Sequence, residues 1–365
     1  MKKIAVLGCT GSIGTTTISI LRKYREYFQV VLLANFSKEK ELFELKKIFP
    51  EANTYCYSTN DDKDFLFREE TYSGVDIVVN GIAGIAGLRP SFAVIEAGKI
   101  LATANKESLV CAGQLLNEKK KNSGAKIYPL DSEHSAVWQC LAGKNFSDVK
   151  KLILTASGGA FRRLSKERLY EATAKEALCH PNWKMGNKVT IDCATLVNKG
   201  MEIIEAKRLF GIDNVVALQH DESIVHALVE MRDNSVLASM SVPNMILPIQ
   251  YALFYPERKP CDLPSLELDK IGSFHFAPID VERFPAFGLC KIADRFGDVG
   301  GTILNAADEV FVCKYLRDEC RFYDISIGIK RALDKFARPG YFSDVGDVIC
   351  MDKEVREYIL SDCCS

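Results

Sequence analysis

The sequence places Asp131-Ser132-Glu133-His134 after one apolar run, and Glu202 and Glu205 three residues apart farther along. In an extended segment, side chains two apart point the same way, so Asp131 and Glu133 can converge on one cation. Glu202 and Glu205 share a face of a helical stretch. Carboxylates with no cysteine nearby suit a hard, oxygen-liganded ion: Mg²⁺ or Mn²⁺, with Co²⁺ as a third candidate. Both pairs also fit ordinary solvated surface. Asn198 and Lys199 sharpen the second pair by adding a polar cluster and a positive charge at the same helix's start. His134 fits a packed or helix-starting residue better than a ligand.

A second chemistry is anion binding. Ser157-Gly158-Gly159 follows the strand expected over 151–156 and can cradle an anion on backbone N–H groups. Asn198 and Lys199 suit a phosphate or a hydroxyl-rich substrate. His180-Pro181-Asn182-Trp183-Lys184-Met185-Gly186 sets a histidine and a tryptophan in a polar stretch with no apolar period. That reads as a lid loop or as a small satellite cluster. His180 can titrate or donate to a phosphate near neutral pH.

A third is nucleotide binding. Gly8-Cys9-Thr10-Gly11-Ser12-Ile13-Gly14 follows the first apolar run and opens a helix. Glycines there let the backbone approach a pyrophosphate at a helix N-terminus, or simply make a tight turn. The end of the second strand reads Asn35-Phe36-Ser37-Lys38, with no carboxylate before Glu39. A carboxylate there would select NAD. Ser37 and Lys38 instead suit the 2′-phosphate of NADPH, unless Lys38 only begins a solvated helix. The run from Gly81 to Gly87 fits either a close ligand or close packing. Asn105-Lys106-Glu107-Ser108 fits either a ligand-side lysine or a helix start capped by Asn105.

The positioning elements follow from the pattern. Strands are expected over 4–7, 30–33, 54–57, 76–80, 100–103 and 126–129, with helices between, which is the rhythm of a doubly wound parallel sheet. Segments 224–231 and 236–242 flank Arg232-Asp233-Asn234-Ser235 and predict an antiparallel hairpin. Proline is dense over 256–282, and four helical blocks follow at 286–296, 301–317, 324–337 and 344–360. The expected class is α/β. It comprises an N-terminal Rossmann-like nucleotide domain (1–131), a central α/β catalytic domain with an antiparallel hairpin (132–256), a linker (257–282) and a C-terminal helical bundle (283–365).

Composition narrows the class without naming a function. With 365 residues, 47% of them hydrophobic, the chain can bury a sizeable core. A formal net charge of −1 gives no field that would draw nucleic acid or an anionic membrane. No apolar run approaches a membrane span. The opening residues turn strand-like too early for a signal or transit peptide. The 13 cysteines show no CxxC spacing, which suggests reduced thiols in a cytoplasmic protein.

Taken in order, the 8–14 glycine run, Ala104-Asn105-Lys106-Glu107-Ser108, Asp131-Ser132-Glu133-His134, Ala156-Ser157-Gly158-Gly159, the 180–186 segment and Asn198-Lys199-Gly200-Met201-Glu202 resemble the 1-deoxy-D-xylulose 5-phosphate reductoisomerase family across the whole chain. The resemblance implies a homodimeric, NADPH- and divalent-metal-dependent enzyme of non-mevalonate isoprenoid synthesis, inhibited by fosmidomycin. It implies rearrangement of a sugar phosphate, 1-deoxy-D-xylulose 5-phosphate, and reduction to 2-C-methyl-D-erythritol 4-phosphate. By similarity, Asp131, Glu133 and Glu202 carry the cation. Ser132, Ser157, His180, Asn198 and Lys199 hold substrate, and Lys106 reaches a substrate hydroxyl. Trp183 and Met185 belong to a closing loop, with Gly186 near NADPH. Thr10, Gly11, Ser12 and Ile13 cradle the dinucleotide, and Asn105 and Glu107 complete that site.

Two departures stand out. Cys193 occupies the place of the family's usual phosphate-binding serine, and a thiol is the weaker donor. Phe36 and Ser37 replace a small and a basic residue, which leaves Lys38 as the candidate reader of the 2′-phosphate. Two other readings remain: a metal-assisted dehydrogenase of another hydroxy acid, and a redox-sensing NADPH-binding protein. The second leaves the three carboxylates without a shared task.

Overall fold

The structure, a computed structural model, describes residues 1–181, 183 and 185–362. Asn182 and Lys184 of the 180–186 segment, and the Cys363-Cys364 pair, lie outside the described residues. In chain order the chain forms β1 (Lys2–Leu7), α1 (Ser12–Lys23), β2 (Phe28–Asn35), α2 (Glu39–Ile48), β3 (Asn53–Cys56), β4 (Ile77–Asn80), α3 (Leu88–Glu96), β5 (Ile100–Thr103), α4 (Lys106–Ser123), β6 (Lys126–Pro129) and α5 (Ser132–Leu141). There follow β7 (Val149–Ala156), α6 (Lys166–Leu169), α7 (Ala174–Ala177), α8 (Asn187–Thr195), α9 (Val197–Phe210), β8 (Val215–Gln219), β9 (Val225–Met231) and β10 (Val236–Met240). Next come α10 (Ile246–Phe254), α11 (Leu268–Ile271), β11 (Ala277–Pro278), α12 (Pro285–Asp294), α13 (Gly297–Leu316), α14 (Phe322–Phe336) and α15 (Val345–Asp362).

The contacts divide the chain into two units. The first holds residues 1–108, 116–135 and 244–263. Its sheet is wholly parallel, in the order β3-β2-β1-β4-β5-β6. Ile4 through Leu7 and Ile77 through Val79 are each fully buried, because a parallel sheet with helices on both faces leaves no wet side. The register sets Leu7 opposite Ala34 and Asn80, so the loops after β1, β2 and β4 leave one edge together. This is the Rossmann-like arrangement expected.

Residues 244–263 join this first unit rather than the segments that surround them in sequence. The reason is an aromatic contact. Phe254 packs edge-on against Tyr24, Tyr27 and Phe28 at 4.9, 5.4 and 4.9 Å between ring centroids. Lys2 Nζ donates to the Leu253 carbonyl at 3.0 Å, and Tyr24 Oη to the Pro260 carbonyl at 2.6 Å.

The second unit holds 109–115, 136–243 and the chain from Pro264 onward. Its mixed sheet runs β10-β9-β7-β8-β11, with β7 parallel to β8 and antiparallel to β9. The expected hairpin is β9–β10, turned by Asn234 at φ 67°. The C-terminal helices α12–α15 share one apolar core with α9 and the inner face of β7, through residues such as Met201, Ile204, Phe287, Ile303 and Ile329.

Two local expectations change. Asp131 and Glu133 do not lie in an extended segment, because α5 begins at Ser132. Asp131 Oδ1 accepts from the Glu133 N–H at 3.2 Å and the Asp131 carbonyl from the Ser135 N–H at 2.8 Å, which starts the helix. The second C-terminal helix starts at Gly297, earlier than the expected 301, because Gly300 and Gly301 sit inside it. A Cβ at Gly301 would stand 1.9 Å from the Val110 carbonyl oxygen, so the low helix propensity is accepted for close packing.

Candidate active site

In the first unit the 8–14 loop is shaped by contact rather than by flexibility. Gly8 has φ +74°, and a Cβ there would lie 2.8 Å from the Gly81 carbonyl oxygen. A Cβ at Gly14 would stand 2.2 Å from the Gly8 carbonyl oxygen. Only glycine fits either place. The loop carries Thr10, Gly11, Ser12 and Ile13 to the start of α1, whose free N–H groups can meet an anion.

Asn105 caps α4, accepting from the Ser108 N–H at 3.0 Å. Its Nδ2 donates to the carbonyls of Ile82 and Gly84, both at 2.8 Å. Glu107 Oε1 accepts from the Gly84 N–H at 3.1 Å. Both residues thus lock the Gly81–Gly87 loop against α4. Lys38 is exposed and pairs with Glu41 at 3.1 Å, and Ser37 begins the same exposed stretch before α2.

At the end of β6 the carboxylates come with counter-groups. Lys106 Nζ donates to Asp131 Oδ2 at 2.8 Å, with both side chains nearly buried. The fully buried His134 reaches Asp131 Oδ1 at 3.2 Å through Nδ1. Ser132 Oγ donates to Glu133 Oε2 at 2.5 Å. His134 is therefore packed and helix-bound, as expected.

In the second unit, β7 ends at Ala156 and the chain turns through Ser157, Gly158 and Gly159, the two glycines at φ +76° and +64°. A Cβ at Gly159 would meet the Cys193 carbonyl oxygen at 2.5 Å, so this turn lies directly against α8. Ser157 Oγ accepts from the Gly159 N–H at 3.2 Å and lies 3.0 Å from His180 Nε2. His180 Nδ1 accepts from the Trp183 N–H at 3.0 Å. An acceptor nitrogen carries no proton, so the imidazole is neutral and its proton sits on Nε2, which donates to Ser157 Oγ. Burial, with the Arg162 guanidinium nearby, pushes the His180 pKa down to about 4. Met185 and Trp183 are half-buried, and Gly186 begins α8 as its N-cap.

Helices α8 and α9 join at Leu196, a left-handed residue at φ 63°. That corner brings half-buried Cys193 and buried Asn198, Lys199 and Glu202 onto consecutive turns. Glu202 is only 1% exposed, and it accepts from both Asn198 Nδ2 and Lys199 Nζ. A buried carboxylate held by a lysine and an amide offers oxygen atoms to a hard cation. Glu205 is fully buried on the same helix, so neither glutamate is on a solvated face.

The pattern gave no notice of a buried acid pair behind this corner. Lys188 on α8 donates to Asp192 at 2.6 Å and to Asp308 of α13 at 3.0 Å. Two buried carboxylates share one lysine, and burial with mutual repulsion pushes the Asp192 pKa up to about 8. The signal available in sequence was the i, i+4 spacing of Lys188 and Asp192. Asp308 lies 120 residues away and gave none. The candidate metal carboxylates divide between the units, Asp131 and Glu133 in the first and Glu202 in the second.

Family models fall along most of the chain. One described as 1-deoxy-D-xylulose 5-phosphate reductoisomerase matches residues 4–66 and 61–113. Its C-terminal domain model matches 127–210, and the DXP reductoisomerase C-terminal domain model matches 240–358. The chain is 40% identical to the 1-deoxy-D-xylulose 5-phosphate reductoisomerase of Geobacillus kaustophilus, over 99% of both chains. It is 42% identical to that of Shouchella clausii, over 98% of this chain and 100% of the relative. A crystal structure of DOX-P reductoisomerase in complex with NADPH, fosmidomycin and magnesium is similar at TM-score 0.92 and 34% identity, covering 99% of this chain and 98% of that one. The Zymomonas mobilis enzyme in complex with NADPH is similar at TM-score 0.90 and 32% identity, with the same coverage.

Proposed function

The chain belongs to the 1-deoxy-D-xylulose 5-phosphate reductoisomerase family and converts 1-deoxy-D-xylulose 5-phosphate to 2-C-methyl-D-erythritol 4-phosphate with NADPH and a divalent metal; from that premise we propose how its own residues do so. The observation that carries the assignment of roles is the buried Asn198–Lys199–Glu202 cluster beside Cys193 at the α8–α9 corner. A 1%-exposed carboxylate is costly unless it has a charged partner and a task.

Asp131, Glu133 and Glu202 supply the oxygen ligands of the cation, Mg²⁺ and by its similar chemistry Mn²⁺ or Co²⁺. The all-oxygen donor set fits such an ion, and Lys106 and Lys199 balance the carboxylates' charge. The glycine cradle at Gly8 and Gly14 fits a pyrophosphate, with Thr10–Ile13 offering N–H groups. When bound, NADPH supplies a hydride and the cation polarises substrate oxygens.

The remaining work falls to side chains. Ser157, His180, Cys193, Asn198 and Lys199 grip the phosphate, fixing the sugar at a distance from the bonds that change. His180, neutral with its proton on Nε2, donates to Ser157 Oγ and leaves the Ser157 hydroxyl proton to face the phosphate, without adding charge. Lys106, which also donates to Asp131, orients a substrate hydroxyl. Ser132 holds Glu133 and contacts substrate. Trp183 and Met185 close over the sugar and exclude water, and Gly186 lets NADPH approach α8. Asn105 and Glu107 hold the Gly81–Gly87 loop beside the cofactor. Ser37 and Lys38 read the 2′-phosphate, and Lys38→Ala with unaltered preference for NADPH over NADH would remove Lys38 from that role.

A homodimer is supported by β10, an edge strand with no outer partner among the described residues and with Val236 50% exposed. No helix of the described residues is long and apolar enough to cross a membrane. The described cysteines are all free thiols, which supports a cytoplasmic setting. The decisive test is NADPH oxidation with 1-deoxy-D-xylulose 5-phosphate, titrated with Mg²⁺. Metal-dependent turnover is expected, and its absence with active-site variants and wild type alike would overturn the reading.

A further inference from the structure

Phe36 is a large apolar side chain 69% exposed to solvent, in a unit whose other aromatic residues are mostly packed away. Its surroundings are rigid. Strand β2 ends at Asn35, and the Cys9 N–H at the start of the glycine loop donates to the Ala34 carbonyl at 2.9 Å. Phe36 thus leaves the sheet beside that loop. On its other side the Ser58 N–H donates to the Phe36 carbonyl at 2.7 Å, and the Tyr57 N–H to the Asn35 carbonyl at 3.0 Å. The Phe36 ring lies on the Tyr57 ring, 5.6 Å between centroids and 18° from parallel. Lys63 holds Tyr57 from behind the strand end, donating to its carbonyl at 2.6 Å and sitting 5.1 Å from its ring centroid.

A stacked pair pinned by backbone bonds at both rings is a preformed shelf. In a doubly wound sheet the adenosine end of a dinucleotide lies where β2 ends, with the ribose at the first residues beyond the strand. The base must then lie over whatever projects there. An aromatic face offers stacking, which is sequence- and charge-independent and gains from a fixed ring.

We propose that Phe36, backed by Tyr57, is the surface on which the adenine base of NADPH stacks, making Phe36 a cofactor-affinity determinant of this chain. This rests on the cofactor reading above. The shelf explains how a chain lacking a basic residue at 36 and 37 retains grip on the adenosine half: stacking on the base adds to the contact that Ser37 and Lys38 make with the phosphate.

The test measures dissociation constants of wild type, Phe36→Ala and Phe36→Trp for three probes: NADPH, 2′,5′-ADP as the adenosine half, and reduced nicotinamide mononucleotide as the other half. Phe36→Ala should weaken NADPH and 2′,5′-ADP by about tenfold, the scale of one lost base–aromatic stack. Nicotinamide mononucleotide should bind Phe36→Ala as it binds wild type, and Phe36→Trp should restore 2′,5′-ADP. Equal 2′,5′-ADP binding by Phe36→Ala and wild type would overturn the proposal. So would parallel weakening of both half-cofactors, which would mark a distorted site. A wild type that binds neither NADPH nor 2′,5′-ADP would overturn the cofactor reading itself.

Discussion

Cys193 is the residue proposed to meet the substrate's phosphate through a thiol. Its Sγ is a weak donor where a hydroxyl would be a strong one. Cys193→Ser should lower the KM for the sugar phosphate about three- to tenfold, the scale of one improved hydrogen bond; an unchanged or raised KM in steady-state assays would reject a phosphate contact there. His180 offers a second measurement. Its folded pKa is depressed to about 4 from 6.5, so the unfolded chain takes up the proton first as pH falls. The stability this neutral imidazole contributes is complete above about pH 6.5 and is lost progressively toward about pH 4. His180→Gln should flatten the decline of the chemical-denaturation midpoint over that window. A slope identical to wild type would show that His180 is not held neutral. Residue identity alone made His180 and Ser157 candidates, yet the hydrogen bond between them, and hence the tautomer, joins residues 23 positions apart across turns and the short helices α6 and α7, a path no periodicity encodes.

At the scale of elements, α8 carries Cys193 and Lys188 and so positions the proposed phosphate contacts. It is wedged between the Gly158-Gly159 turn and α13, where Lys188 ties Asp192 to Asp308. Burial and mutual repulsion raise both carboxyl pKa values, so the pair retains a proton near neutral pH that the unfolded chain has lost. The folded state then binds more protons, and this pair's contribution falls as pH rises from about 4 to about 8. Asp308→Asn removes the repulsion and should shrink that fall in thermal melts taken between pH 5 and 8; a variant whose Tm declines as steeply as wild type would exclude the shared proton. Gly301→Ala tests the packing of α13, where the added methyl would sit 1.9 Å from the Val110 carbonyl oxygen. Overpacking of this kind costs ~2 kcal/mol or more, readable as a lower urea midpoint with unchanged m-value. The strands were legible because apolar runs flanked by glycines mean buried parallel strands. The start of α13 was not, since a glycine pair argues against helix unless the neighbour that demands it is known. Nor was the start of α5, where Asp131 reads equally as strand end or helix cap until its acceptance of the Glu133 N–H is seen.

For the whole molecule, a net charge of −1 averages over opposite local charges that do the work. The separation into units also differs from sequence order: residues 244–263 return to the first unit through an aromatic contact made with residues more than 200 positions earlier, which composition along the chain does not reveal. Two of the three candidate metal carboxylates meet a cation within their own units, Asp131 with Lys106 and Glu202 with Lys199. Folding therefore does not wait for the metal, unlike small domains whose only core is the ion. Chelation should abolish NADPH oxidation while leaving the far-ultraviolet circular dichroism unchanged, and added Mg²⁺ should restore turnover. The restored ion binds the folded chain alone, so it should also raise Tm by an amount that grows with the logarithm of its free concentration. Loss of secondary structure on chelation would mean that the lysines do not balance the carboxylates as their distances indicate. A Tm indifferent to Mg²⁺ up to concentrations that saturate activity would mean that the ion arrives only with substrate, its ligands completed by the sugar's own oxygens.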